Sequence, residues 1–182
     1  FVMRDAEPGL PAYVARHVAP HVSVLNAGEA HVSHPTQGLL DTLTIRQHKG
    51  DIGALSVAIV GDIRHSRVAR STGRALLTLG VGELRLVSPA SLMPDVGEFE
   101  GARRHTSLAD GVRGADVVMA LRIQRERMPE ASSLDADAFN REWGITAENL
   151  RLARPDAIVM HPGPMNRGVE IASEVADGPQ SV

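Results

Sequence analysis

The sequence predicts an α/β chain built on a doubly wound parallel sheet, and three observations predict it. Short runs rich in Val, Ile and Leu recur at 22–25, 56–60, 84–87, 117–120 and 157–160, the pattern of strands buried on both faces. Stretches with helical periodicity lie at 11–17, 36–49, 67–79, 108–112 and 146–153. Their alternation implies βαβ units, hence parallel pairing with right-handed crossovers. Local punctuation agrees: Thr146 is an N-cap residue by type and Gly80 closes the third helix.

Taken in order, the chain opens on Phe1-Val2-Met3-Arg4, an apolar run already in progress that ends in a cation. We divide the sequence into the end of a first domain (1–33), a linking helix (34–50) and a nearly whole second domain (51–182). Gly50-Asp51-Ile52-Gly53 marks the exit from the linking helix, and the strand from Ser56 opens a second sheet. Residues 128–137, with Pro129, Ser132 and Ser133, read as a long surface loop.

Composition narrows the function classes. With 43% apolar and 23% charged residues, the 182-residue chain is a globular sequence with enough length for one good-sized core. Zero cysteines exclude disulfides and thiolate metal sites and fit a reducing, cytoplasmic setting. No apolar run approaches the roughly 20 residues needed to span a bilayer, so no membrane role is expected. A net charge of −3 with five aromatic residues argues against a nucleic-acid partner.

Two His-Pro turns carry the chemical signal. His34-Pro35-Thr36-Gln37 and His161-Pro162-Gly163-Pro164-Met165-Asn166-Arg167-Gly168 each stand at the edge of an apolar run, as if one polar site were assembled from distant segments. His31 lies three residues before His34, but no third ligand has suitable spacing, and no metal is expected. Val60-Gly61-Asp62 ends a strand where a dinucleotide fold would place its glycine fingerprint. No second or third glycine follows at the required spacing, so a nicotinamide site is not expected. Arg125-Glu126-Arg127 reads as a solvated charged face.

With Val2-Met3-Arg4, Ser66-Arg67 and Leu121-Arg122-Ile123-Gln124 added to these motifs, the sequence resembles the catalytic chain of aspartate carbamoyltransferase, of bacterial type. The resemblance implies the aspartate/ornithine carbamoyltransferase fold and transfer of a carbamoyl group from carbamoyl phosphate to L-aspartate, early in pyrimidine biosynthesis, without metal or organic cofactor. It implies that Arg4 binds the phosphate and carbonyl oxygen, that His34 donates a hydrogen bond to that oxygen, and that Gln37 receives the carbamoyl NH2. The Pro162-Gly163-Pro164 turn would offer backbone carbonyls to the carbamoyl NH2 and the attacking amine. Arg67 and Arg122 would each hold an aspartate carboxylate, with Gln124 at the α-carboxylate or amine. Asn166, Arg167 and Gly168 are expected to fix the turn.

The same resemblance implies a homotrimeric parent. The residues around Met165 and Val169-Glu170-Ile171 are most similar to members that associate with a dihydroorotase-like chain. It also leads us to expect a fragment, with the family's Ser-Thr-Arg-Thr phosphate loop and lent lysine loop upstream of Phe1 and a closing helix beyond Val182. Alone, such a fragment would be inactive and monomeric or aggregating. Two alternatives compete: an ornithine carbamoyltransferase, whose second turn usually reads His-Cys-Leu-Pro, and a non-catalytic assembly or binding module.

Overall fold

Chain order begins with a small parallel pair. In the computed structural model, which describes residues 1–124 and 135–182, β1 (Val2–Asp5) runs beside β2 (Leu25–Glu29) and α1 (Leu10–His17) connects them. β2 begins where the expected 22–25 strand ends. The apolar run does not set this strand, because the pair is largely exposed or half-buried and only Gly28 among its residues is fully buried. Polar contacts hold it instead: Asn26 Oδ1 accepts from Gly28 N at 2.8 Å and its Nδ2 donates to Ser33 Oγ at 3.0 Å.

Pro35 opens α2 (Pro35–Lys49), occupying the turn where its missing N–H costs nothing, and Gly50 in a positive-φ conformation closes it. A short 3-10 turn then leads into the larger sheet, formed by β3 (Ser56–Gly61), β4 (Glu83–Val87), β5 (Arg103–His105), β6 (Val117–Leu121) and β7 (Ile158–Met160). All pairings are parallel, in the order β5-β4-β3-β6-β7.

Alternation along the central strands divides the core in two. Val57 and Ile59 of β3, with Val117, Met119 and Leu121 of β6, face α2 through Ile45 and α3 (Arg67–Thr78) through Ala69 and Leu76. Ala58, Val60, Val118 and Ala120 face the other way, against α4 (Leu108–Val112), α5 (Ala136–Trp143), α6 (Ala147–Leu150) and α7 (Ser173–Ala176). Helices on both faces make the sheet doubly wound, as expected. The caps follow residue type: Ser66, Ser107 and Thr146 accept from Ala69 N, Asp110 N and Asn149 N.

Three elements depart from expectation. β5 carries Arg103, Arg104 and His105 at the sheet's edge, where solvent rather than core selects the side chains, so no apolar run announces it. α5 begins inside the segment expected as a loop: Asp135 caps it, and Phe139 and Trp143 bury its inner face. The helix expected at 146–153 is a single turn, with residues 151–153 continuing as turn and bend. The charged run at 125–127 and the loop at 128–134 lie outside the described residues.

α2 and α3 cross closely. A Cβ on Gly38 would stand 2.9 Å from the Ser71 backbone, so glycine permits the approach.

Candidate active site

Strand order reverses between β3 and β6, which opens a crevice outside their carboxyl ends, the usual ligand position in open α/β sheets. Gly61 makes the junction tight. At its φ of 121° a Cβ would lie 2.3 Å from the Leu121 carbonyl oxygen. The next residue, Asp62, is fully buried and joins the two strand ends. Its Oδ1 accepts from His65 N and lies 2.8 Å from His65 Nδ1, while Oδ2 accepts from Gln124 N at 3.0 Å. The segment carrying Arg122 and Gln124 is thereby fixed against the start of α3.

Arg67, the first residue of α3, reaches the smaller sheet. Its Nη1 donates to Ala30 O at 3.1 Å, and its guanidinium lies over Gly28, where a Cβ would be 3.0 Å from Cζ. His34 stands at the N-cap of α2, its backbone N donating to Ser71 Oγ at 2.8 Å and its Nδ1 3.2 Å from Thr36 Oγ1. Burial, and then the positive charges of Arg67 and Arg4, hold the His34 imidazole below its ordinary pKa, favouring the neutral ring. Three residues on, Gln37 Nε2 donates to Asp41 Oδ1 at 2.8 Å.

The second His-Pro turn is built differently. His161 Nδ1 accepts from Gly163 N at 2.9 Å, and Nε2 lies 3.1 Å from Glu170 Oε1, which also accepts from Asn166 N at 2.6 Å. Both side chains are only 2% exposed. Since Nδ1 is an acceptor, Nε2 carries the proton and donates to the carboxylate. His161 therefore braces the turn, leaving Pro162, Gly163 and Pro164 at the crevice wall. Arg167 is engaged outside it, paired in bidentate fashion with Asp177 at 2.7 and 2.8 Å.

The structure brings all eight residues singled out from sequence, Arg4, His34, Gln37, Arg67, Arg122, Gln124, Gly163 and Pro164, around one cleft of about 400 Å³. A second hollow of about 590 Å³ adjoins it through Arg4 and Arg67 and adds Arg64, His65 and His31. Arginines from β1, α3 and the segment after β6 converge on the first cleft, making it suited to an anion with several negative groups. Among the described residues no group of three His, Cys, Asp or Glu side chains is placed to hold a metal. Sequence reasoning missed the supports Asp41, Asp62 and Glu170. Only Asp41 had a local signal, its i,i+4 spacing from Gln37.

Comparison with known proteins places this geometry. The family model described as aspartate/ornithine carbamoyltransferase, Asp/Orn binding domain, matches residues 54–182. Aspartate transcarbamoylase from Trypanosoma cruzi, solved with carbamoyl aspartate and phosphate, superposes with a TM-score of 0.84 at 32% identity, over 99% of this chain and 58% of that one. The same enzyme with carbamoyl phosphate gives 0.85 at 31% identity, covering 99% and 59%. Ornithine carbamoyltransferase from Thermus thermophilus gives 0.82 at 25% identity, covering 99% and 58%. The chain thus spans a little under three fifths of the length of these structures. A doubly wound sheet, a crevice at its switch point and a family match over 54–182 lead to one conclusion: the chain belongs to the aspartate/ornithine carbamoyltransferase family.

Proposed function

We propose that the cleft transfers the carbamoyl group of carbamoyl phosphate to the amine of L-aspartate, giving N-carbamoyl-L-aspartate and phosphate, the product class of pyrimidine biosynthesis. The observation that carries the reading is the convergence of three arginines, two amide side chains, a neutral imidazole and a proline-flanked backbone turn on one cleft. Arg4 takes the phosphate and carbonyl oxygen. The imidazole of His34, with Thr36 donating to Nδ1, turns an Nε2–H toward the carbonyl oxygen, where charge accumulates as the amine adds. Gln37 receives the carbamoyl NH2. Backbone carbonyls of the Pro162 to Pro164 turn accept hydrogen bonds from that NH2 and from the attacking amine, whose proton passes to the departing phosphate oxygen as the C–N bond forms and the C–O bond to phosphate breaks. Positioning and electrostatics supply the catalysis.

Arg67 and Arg122 favour aspartate over ornithine as acceptor. A dicarboxylate gives each guanidinium a partner, whereas ornithine brings one carboxylate and a second amine into a cationic cleft. The sequence also has glycine at 163 and no cysteine anywhere, unlike the His-Cys-Leu-Pro form expected of an ornithine enzyme. The assembly we propose for the full-length protein is at least a trimer, with a dihydroorotase-like chain as a further partner, and its mass by light scattering tests this. The substrate test is phosphate release by the full-length protein with carbamoyl phosphate and either amino acid. Turnover with aspartate is expected. Preferential turnover of ornithine would overturn the assignment, and turnover of neither would favour a binding module.

A further inference from the structure

We infer that Asp41 is a positioning residue that decides which end of the Gln37 amide faces the cleft, so that the site selects an acyl group bearing N–H donors over one bearing a methyl group. The inference rests on the carbamoyl-transfer reading above. It begins from the chemistry of the two side chains. A primary amide has one donor end and one acceptor end, whereas a carboxylate only accepts. Asp41 Oδ1 lies 2.8 Å from Gln37 Nε2, so the NH2 end is turned inward and Oε1 is the atom left to a ligand in the cleft that Gln37 lines. The other carboxylate oxygen is taken by the hydroxyl of Thr72, which is fully buried on α3. Asp41 itself is 3% exposed. Because residues four apart on a helix share a face, the pair keeps its register without a ligand.

Stability alone would not call for a carboxylate here. Removal from water disfavours the charged form, and burial pushes the Asp41 carboxyl pKa upward despite its two hydrogen bonds. Asparagine would fill the same space, satisfy the same neighbours and carry no charge. What asparagine cannot do is choose: its own amide can offer either end, and Gln37 could then present oxygen or NH2 to the cleft. An NH2 end facing a carbamoyl NH2 sets donor against donor. The carboxylate removes that ambiguity, and Thr72, brought close by the tight crossing at Gly38, keeps the carboxylate from turning.

The test uses two non-hydrolysable anions, phosphonoacetamide and acetonylphosphonate, which differ only by NH2 against CH3 on the carbonyl carbon. They are titrated calorimetrically into the full-length protein and its Asp41→Asn variant. The wild type is expected to favour the amide, with Gln37 contributing about tenfold of the preference, the value of one hydrogen bond, beside what the Pro162 to Pro164 turn supplies. Asp41→Asn should lose about that tenfold with little change for the methyl ketone, at an unchanged or raised thermal midpoint. In a Gln37→Met background, which lacks the amide, adding Asp41→Asn should leave the ratio of the two affinities where it was. A variant that kept the full preference, weakened both ligands equally or failed to fold would overturn the inference, as would an effect that persisted in the Gln37→Met background. Wild-type protein that bound neither anion would instead remove the carbamoyl-transfer reading on which the inference rests.

Discussion

His34 and His161 are both followed by proline, and both stand where an element of the fold ends or begins, yet the molecule uses them in opposite ways. The ring of His34 is half-buried at the mouth of α2, with a threonine hydroxyl on one nitrogen and two arginines near enough to hold its pKa down. The ring of His161 is engaged at both nitrogens, by Gly163 N and by the buried Glu170. At 34 the side chain is the proposed instrument. At 161 the side chain is a brace, and the backbone beside it is the proposed instrument. The difference teaches that hydrogen-bond partners, rather than the dipeptide, separate a histidine left facing a cleft from one locked into the structure.

The strongest way to break this contrast is His161→Ala. Removing one member of a buried pair leaves the other uncompensated, and a loss of about 3 to 5 kcal/mol of stability is expected in denaturant unfolding. The Oε2 atom of Glu170 is already buried without a hydrogen-bond partner among the described residues, so little is left to compensate it. A variant of wild-type stability that had lost only turnover would make His161 a catalytic group and collapse the distinction.

His34→Ala should do the reverse, lowering kcat by roughly 100 to 1000-fold, the cost of one lost donor to a developing oxyanion, while unfolding within about 1 kcal/mol of wild type. Steady-state kinetics beside a urea titration check both halves, and an unchanged kcat would remove the polarising role.

A smaller effect sharpens the electrostatic side. In an NMR titration the His34 ring should titrate below 6.5, and Arg67→Ala should move it upward by removing one of the charges that lower it. The sign for stability follows. A folded-state pKa below the unfolded one gives stability that is present above the unfolded value and is lost as pH falls through the folded one. A His34 ring titrating above 6.5 would contradict the arrangement of cations around it.

Sequence made the central sheet legible because strands buried on both faces are apolar: β6 is so throughout and β3 from Val57 to Val60, while β4 shows itself through Leu84, Leu86 and Val87 around the partly buried Glu83 and Arg85. Helix starts were legible where Ser or Thr supplies the cap or Pro stands in the first turn. The edge strand β5 was not, since an exposed strand need not be apolar. α5 hid because its apolar positions, Phe139 and Trp143, are two residues in a short and otherwise polar helix. The eight cleft residues were gathered through the family resemblance: the two His-Pro turns hold His34, Gln37, Gly163 and Pro164, and the motifs around Arg4, Arg67 and Arg122-Ile123-Gln124 supply the rest. Their supports were less visible. Glu170 meets His161 through a turn with no period of its own, and Asp62 meets Gln124 across 62 residues. Asp41 was visible in principle and was passed over, since a polar residue on a helix usually faces water.

The close crossing at Gly38 has a mechanical consequence. α2 is seated on α3 there, its Ile45 lies in the core of the larger sheet, and Lys49 at its far end donates to Asp156 in the turn before β7. The helix therefore behaves as a strut bolted to the larger sheet along its whole length. His34 and Gln37, at the near end of that strut, are thereby held at a fixed spacing from Arg67 on the helix that seats it.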